Sequence, residues 1–251
     1  MLKILLNGCN GRMGKVISNL AANNNSIDII AGIDPTGIKS DNYPVYKEIS
    51  EFKDGCDVIL DFSNANSLAA VLNFAETNSI PTVLCTTGYN QQQLDDIKSS
   101  SEKVAIFNSS NMSIGIGILS YMLKKISPML YNDFDIEIIE KHHNQKLDSP
   151  SGTAIMLANA IENSIDSDVE YKYGRKGMAK RAKNEIGVHA IRGGSIVGEH
   201  EIIFAGLGET IELKHTALSR DVFAVGAIKA CKFIATKHSG LFNMDDLLSI
   251  K

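Results

Sequence analysis

Leu2-Lys3-Ile4-Leu5-Leu6-Asn7-Gly8-Cys9-Asn10-Gly11-Arg12-Met13-Gly14 opens the chain, and its reading decides the fold. The apolar run Leu2 to Leu6 predicts a buried strand that stops at Gly8. Beyond it, Met13, Val16, Ile17 and Leu20 recur at helical spacing and mark one apolar helix face. Between strand and helix the glycines stand as GxxGxxG. Glycine there lets the backbone turn tightly and approach a pyrophosphate, while the helix start offers free N–H groups and a partial positive charge. The usual dinucleotide fingerprint is GxGxxG, so one glycine is displaced. The surroundings still favour a nucleotide. Asp34 stands 20 residues past Gly14, at the end of a second predicted strand, Ile27 to Ile33. An acid at that position accepts from the adenine ribose hydroxyls.

Working outward, Val58 to Asp61, Thr82 to Cys85 and Val104 to Phe107 read as further short strands. Helical patterns through Leu68, Val71, Leu72 and Ala75, and from Gln91 to Ser101, separate them. Strands alternating with helices predict a doubly wound parallel sheet with right-handed crossovers. Cys85-Thr86-Thr87-Gly88 and Ser109-Ser110-Asn111-Met112 follow the fourth and fifth strands. They fall where such sheets bind ligands, outside the carboxyl ends of the strands. After about residue 112 the pattern changes. A helix from Ile114 to Ile126 precedes Phe134 to Ile138, where apolar and acidic residues alternate as in a strand with one wet face. A helix from Ser151 to Asn163, strands at Gly187–Ile191, Glu199–Ala205 and Thr210–Lys214, and a helix from Asp221 to Lys237 complete the reading. The change predicts a second, mixed-sheet domain inserted near residues 112–220.

Composition narrows the function. A net charge of -4, no Trp and 6% aromatic residues give neither the basic footprint nor the stacking surface of a nucleic-acid binder. The four cysteines lie far apart with no CxxC pair, which argues against a zinc knuckle or a disulfide framework. No apolar stretch approaches the roughly 20 residues of a membrane span. The N-terminal apolar run ends at Asn7-Gly8, too short for a signal-peptide core. The cytoplasm is the expected compartment, with no membrane and no metal.

The chemistry concentrates in Glu140-Lys141-His142-His143-Asn144-Gln145-Lys146-Leu147-Asp148-Ser149-Pro150-Ser151-Gly152-Thr153-Ala154. Adjacent histidines on an extended strand point to opposite faces and seldom share a metal. Cationic donors beside a helix start suit a small anionic substrate instead. His143, Lys146 and the amides of Ser151, Gly152 and Thr153 can donate to carboxylates. His142 and Lys146 can also serve as acids, the lysine if burial or neighbouring cations lower its pKa. The competing reading is a basic loop that is merely solvated.

Four segments, GCNGRMG, EKHHNQKLDSPSGTA, RGGSIVGEHEIIFAG and GLFNMDDLL, together resemble the 4-hydroxy-tetrahydrodipicolinate reductase family, from about residue 2 to residue 248. The resemblance implies a Rossmann-type domain of residues 1–112 and 221–251, and an α+β mixed-sheet domain of residues 113–220 that binds substrate and builds a homotetramer. It implies reduction of a small cyclic dicarboxylate by NADH or NADPH in the diaminopimelate route to lysine. Carried onto this chain, the catalytic residues are His142 and Lys146, and which of them delivers the proton is left open. Substrate contacts fall on His143, Gly152 and Thr153, beside Ser151. Cofactor contacts fall on Gly8, Cys9, Asn10, Gly11, Arg12 and Met13, on Asp34, on Cys85, Thr86 and Thr87, and on Ser109, Ser110, Asn111 and Met112. Arg220 matches a family arginine near the cleft between domains. Pro35 stands where some relatives carry an arginine for the 2′-phosphate, so a modest NADH preference is expected. Another nicotinamide-dependent reductase would not need the paired carboxylate donors, and a nucleotide-sensing regulator would need neither His142 nor Lys146.

Overall fold

The strand that opens the chain, β1 (Leu2–Asn7), lies in the middle of a seven-stranded sheet. The computed structural model describes residues 1–249, so the last two residues of the 221–251 segment lie outside the described residues. The chain divides into two compact units, one built from Met1–Ile114 and the segment from Arg220 onward, the other from Gly115–Ser219.

In the first unit the elements run β1, α1 (Arg12–Ala22), β2 (Ile27–Ile33), β3 (Val45–Tyr46), β4 (Val58–Asp61), α2 (Leu68–Asn78), β5 (Thr82–Leu84), α3 (Gln91–Ser101) and β6 (Ala105–Asn108). After the second unit the chain returns as α6 (Asp221–Ile234), β12 (Gly240–Phe242) and the short α7 (Met244–Leu247). The sheet order is β12-β6-β5-β4-β1-β2-β3, and every pairing is parallel. Both faces are covered, which explains the unbroken apolar runs. Ile4, Leu6, Val58 and Leu60 pack on one face with Ile17 of α1 and Ala224, Ala227 and Cys231 of α6. Leu5 and Ile59 point to the other, against Val71, Leu72 and Ala75 of α2 and Ile97 of α3. The edge strands β3 and β12 have two and three residues, too short to show a period in sequence.

The second unit holds α4 (Ile114–Leu130, starting one residue before it), β7 (Asp135–His142), α5 (Gly152–Glu162), β8 (Glu170–Tyr173), β9 (Glu185–Arg192), β10 (Gly198–Gly206) and β11 (Glu209–Ala217). Its sheet is mixed, in the order β11-β10-β7-β9-β8, with β10 antiparallel to both β11 and β7, and β9 parallel to β7 and β8. Ile136, Ile138, Ile186, Val188, Ile202 and Phe204 face Leu119 and Leu123 of α4 and Leu157 and Ile161 of α5. The helix α4 runs four residues past Ile126, through Pro128 in its last turn, where the proline removes one N–H from the helix ladder.

One difference in extent positions the site. The period-two pattern ends the strand at Ile138, whereas β7 continues to His142 with strict alternation of buried and half-buried residues. Beyond Ile138 the buried face simply turns polar, with Glu140 and His142 taking the places of isoleucines.

Candidate functional site

In the first unit the loops meet at the carboxyl ends of the parallel strands. Gly8 has φ +80, and a Cβ built there would lie 2.5 Å from the Phe62 carbonyl oxygen. A Cβ on Gly14 would strike the carbonyls of Gly8 and Cys9. Gly11 is the N-cap of α1 and supplies no side-chain cap, so the first turn keeps its N–H groups for a ligand. A close-approach turn running into an uncapped helix start fits a dinucleotide pyrophosphate.

Asp34 is 8% exposed, with Oδ1 accepting from the Thr36 N–H at 3.0 Å and its hydroxyl at 2.5 Å, and Oδ2 from the Asn10 N–H at 3.3 Å. Burial opposes its ionisation, but these bonds outweigh burial and hold the carboxyl below its ordinary value. Asn10 also reaches Thr36 and the Ile38 carbonyl, tying the glycine turn to the Asp34 loop. Beside them a cavity of about 280 Å³ is lined by Asn7, Ile33, Pro35, Lys47 and Ser63 among others. A second, of about 400 Å³, brings together Thr86, Thr87 and Gly88 with Asn108, Ser109 and Ser110. Cys9, Cys85 and Met112 place their side chains in the core, leaving only backbone to offer a ligand. Arg12 and Thr87 are exposed, whereas Met13, Asn111 and Arg220 are partly buried.

Sequence reasoning missed Asp61, which ties these loops together. Fully buried at the end of β4, it accepts from Asn7 Nδ2 at 2.8 Å, Ser63 Oγ at 2.5 Å and Thr86 Oγ1 at 2.8 Å. Burial raises its pKa despite those donors. The carboxylate thus joins the ends of β1, β4 and β5.

In the second unit the polar end of the β7 buried face forms a compact network. Glu140 is fully buried, and its Oε2 accepts from His142 Nδ1 and from an Arg192 guanidinium nitrogen, both at 2.7 Å. Its Oε1 accepts from the other Arg192 terminal nitrogen at 2.7 Å and the Ser151 N–H at 2.9 Å. Burial disfavours the charge, but His142, Arg192 and Ser151 reverse that and bring the carboxyl down to about 2. Pairing register explains the convergence. Arg192 of β9 stands opposite His142, and His200 of β10 stands opposite Glu140. Cross-strand partners share a face.

Ser151 caps α5 by accepting from the Ala154 N–H at 3.1 Å, and its hydroxyl lies 3.0 Å from His200 Nε2. A buried imidazole in that pair is neutral near pH 7, and its tautomer sets which of the two atoms donates. Burial, with His142 adding to it, pushes the His200 pKa down to about 4. Ser151 spends its N–H and hydroxyl inside the protein and is 1% exposed, so the outward donors of this helix start are at Gly152 and Thr153. The Lys146 neighbour is a carboxylate, not a cation. Its Nζ lies 2.8 Å from Asp148 Oδ1. Burial opposes the Asp148 charge, yet Lys146 and backbone N–H groups including that of Gly152 hold its pKa below the ordinary value. Lys146 and the start of α5 therefore already cradle one carboxylate. Arg192 and His200 escaped the sequence reading because only strand register brings them to His142, and Glu140, two residues before it on the same strand face, because the apolar alternation stops at Ile138.

Comparison with known proteins agrees with both halves. Residues 2–112 match the family model described as dihydrodipicolinate reductase, N-terminus, and residues 115–248 match dihydrodipicolinate reductase, C-terminus. The chain is 55% identical over 251 residues to 4-hydroxy-tetrahydrodipicolinate reductase of Clostridium novyi (strain NT), covering 100% of both chains. It is 53% identical to the protein of the same name from Clostridium tetani, covering 99% of this chain and 98% of that one. Among solved structures, a dipicolinate-bound dihydrodipicolinate reductase from Paenisporosarcina sp. TG-14 aligns with a TM-score of 0.81 over 97% of each chain, a likeness of fold at 23% identity. With a nucleotide-type turn in one half, a carboxylate cradle in the other, and family matches across both, the chain belongs to the 4-hydroxy-tetrahydrodipicolinate reductase family of oxidoreductases.

Proposed function

We propose that this chain reduces 4-hydroxy-tetrahydrodipicolinate, by way of the dehydrated conjugated imine, to tetrahydrodipicolinate in the diaminopimelate route to lysine. The observation that carries the reading is the cradle at Lys146 and Gly152, which holds the Asp148 carboxylate beside the Glu140–His142 pair. A dicarboxylate substrate presents the same group. The Paenisporosarcina relative is described as dipicolinate-bound, which supports a dicarboxylate here.

The family is NAD(P)H-dependent, and the bound dinucleotide supplies the hydride. Gly8, Cys9, Asn10, Gly11, Arg12 and Met13 would hold its pyrophosphate, and Asp34 its adenine ribose. Cys85, Thr86, Thr87 and Ser109 to Met112 would line the nicotinamide end. Residues 1–112 and 221–251 would form the dinucleotide domain, and residues 113–220 the substrate and tetramerisation domain. Lys146, His143, Gly152 and Thr153 would orient the substrate carboxylates by charge and N–H donation. Hydride addition leaves the substrate needing a proton, and His142 would deliver it. Asp34 favours a free 2′-hydroxyl over a 2′-phosphate, which supports a modest NADH preference. Family membership supports a homotetramer in the cytoplasm.

The test is turnover of substrate generated in situ by the preceding synthase, followed by nicotinamide absorbance. His142→Gln should lower kcat by about 10²–10⁴ with little change in dinucleotide Kd. Lys146→Ala should raise substrate KM and lower kcat as orientation is lost. Near-normal kcat in folded His142→Gln would remove His142 from the proton transfer.

A further inference from the structure

The chemistry of His142 depends on which ring nitrogen carries hydrogen at rest. A protein group that fixes this choice acts on the reaction without touching substrate. Glu140 has the geometry for that task. It is fully buried, two residues before His142 on the same face of β7, and its Oε2 lies 2.7 Å from Nδ1. An ionised carboxylate only accepts, so Nδ1 must donate. The remaining acceptor sites of Glu140 are filled by Arg192 and the Ser151 N–H, giving four bonds on two oxygens. A carboxylate so saturated holds its charge and has no free lone pair to take a proton.

We propose that Glu140 is a positioning residue for His142, fixing the imidazole with hydrogen on Nδ1 and leaving Nε2 as the one nitrogen that exchanges a proton with substrate. Gly198 supports this on the Nε2 side. A Cβ built there would lie 3.2 Å from Nε2 and 3.5 Å from Cδ2, tight enough to press on the ring. The absence of a side chain keeps that edge of the imidazole clear. Arg192 adds a second effect. Its bidentate pairing holds the Glu140 carboxylate in place against the His142 ring. The groups facing His142 are then Glu140 on its own strand, Arg192 on β9 and His200 on β10, whose ring centroid lies 5.2 Å away. Lys146 and Asp148 belong to the loop that follows β7. Nε2 of the resting ring first takes a proton from solvent; the imidazolium then gives that Nε2–H to substrate and returns to its Nδ1–H form with Glu140 unchanged.

This role rests on the proposed reductase activity for its kinetic consequence but not for its geometry, so the test has two arms. The first uses the wild-type protein without substrate. Nitrogen-15 NMR of His142 at pH 9, assigned by loss of its signals in His142→Gln, should show a protonated Nδ1 and a lone pair on Nε2. An Nε2–H resting tautomer would overturn the proposal. The second arm is kinetic. Glu140→Gln places an amide NH₂ among donors and breaks the network, so kcat should fall by about 10²-fold, with the dinucleotide Kd within about twofold because its loops lie in the other unit. Glu140→Asp keeps the charge and should recover part of the loss. Unchanged kcat in folded Glu140→Gln would also overturn the role. Should Glu140→Gln fail to fold, the tautomer and Glu140→Asp still decide. Wild-type protein with the expected tautomer but no turnover would sink the reductase reading and leave the positioning geometry standing.

Discussion

Replacing His200 with glutamine should make the stability of this protein less sensitive to mild acid, by an amount the structure sets. His200 is 4% exposed, and its folded-state pKa is lowered from 6.5 to about 4. The unfolded chain therefore binds a proton that the folded chain refuses, and stability rises with pH across that interval. The contribution is fully present above about pH 6.5 and is lost as pH falls toward 4. The difference between the two pKa values corresponds to about 3 kcal/mol in total, of which about 2 kcal/mol falls between pH 7 and pH 5. Glutamine keeps an amide able to accept the Ser151 hydroxyl but does not titrate. Urea unfolding by circular dichroism at pH 7 and pH 5 measures the effect. Wild type should lose about 2 kcal/mol more than His200→Gln over that change, the other histidines being common to both proteins. Equal losses would show that His200 accepts a proton in the fold without cost and would refute the assignment of a neutral, buried imidazole.

Three further outcomes test the site. Thr153→Val keeps shape but removes a hydroxyl at the start of α5, so it should raise substrate KM severalfold and spare dinucleotide affinity; an unchanged KM would dismiss the hydroxyl as a contact. Comparing kcat/KM for the two dinucleotides should favour NADH modestly, because Asp34 repels a 2′-phosphate, and a clear NADPH preference would point to a cation such as Lys47 beside Pro35. Gly8→Ala should cost at least about 1–3 kcal/mol through its positive φ alone and abolish tight dinucleotide binding, since the new Cβ meets the Phe62 carbonyl; titration calorimetry and thermal melts check both effects.

Much of the parallel sheet was legible because its strands are buried on both faces and its helices carry a regular apolar stripe. The edge strands β3 and β12 were not, being too short for any periodicity. In the mixed sheet the alternation through Ile138 was visible, but Glu140 and His142 look like the end of a strand when judged by hydrophobicity. They are its continuation, made possible by Arg192 and His200 on neighbouring strands. The segment bearing His142, His143 and Lys146 stands out by residue type alone. Its supporting residues do not, because Glu140 and Arg192 lie 52 positions apart and meet only through strand pairing. Asp61 was hidden for a similar reason, since a lone acid closing an apolar strand reads as an exposed terminus rather than a buried tie among three strands.

The route of the chain through its two units has a consequence for synthesis on the ribosome. The second unit is one continuous stretch, Gly115–Ser219, and all its strands can pair as soon as that stretch has emerged. The first unit cannot finish so early. One side of its sheet waits for α6, whose Ala224, Ala227, Ala230, Cys231 and Ile234 complete the apolar layer over β1 and β4. Lys232 and Ser26, which bond at 2.7 Å, are separated by 206 positions. A nascent chain that ends before α6 would thus present a half-covered parallel sheet, the kind of intermediate that aggregates or recruits a chaperone. Chains released short of residue 220 should accordingly keep a folded insert hanging from a sticky, unfinished host.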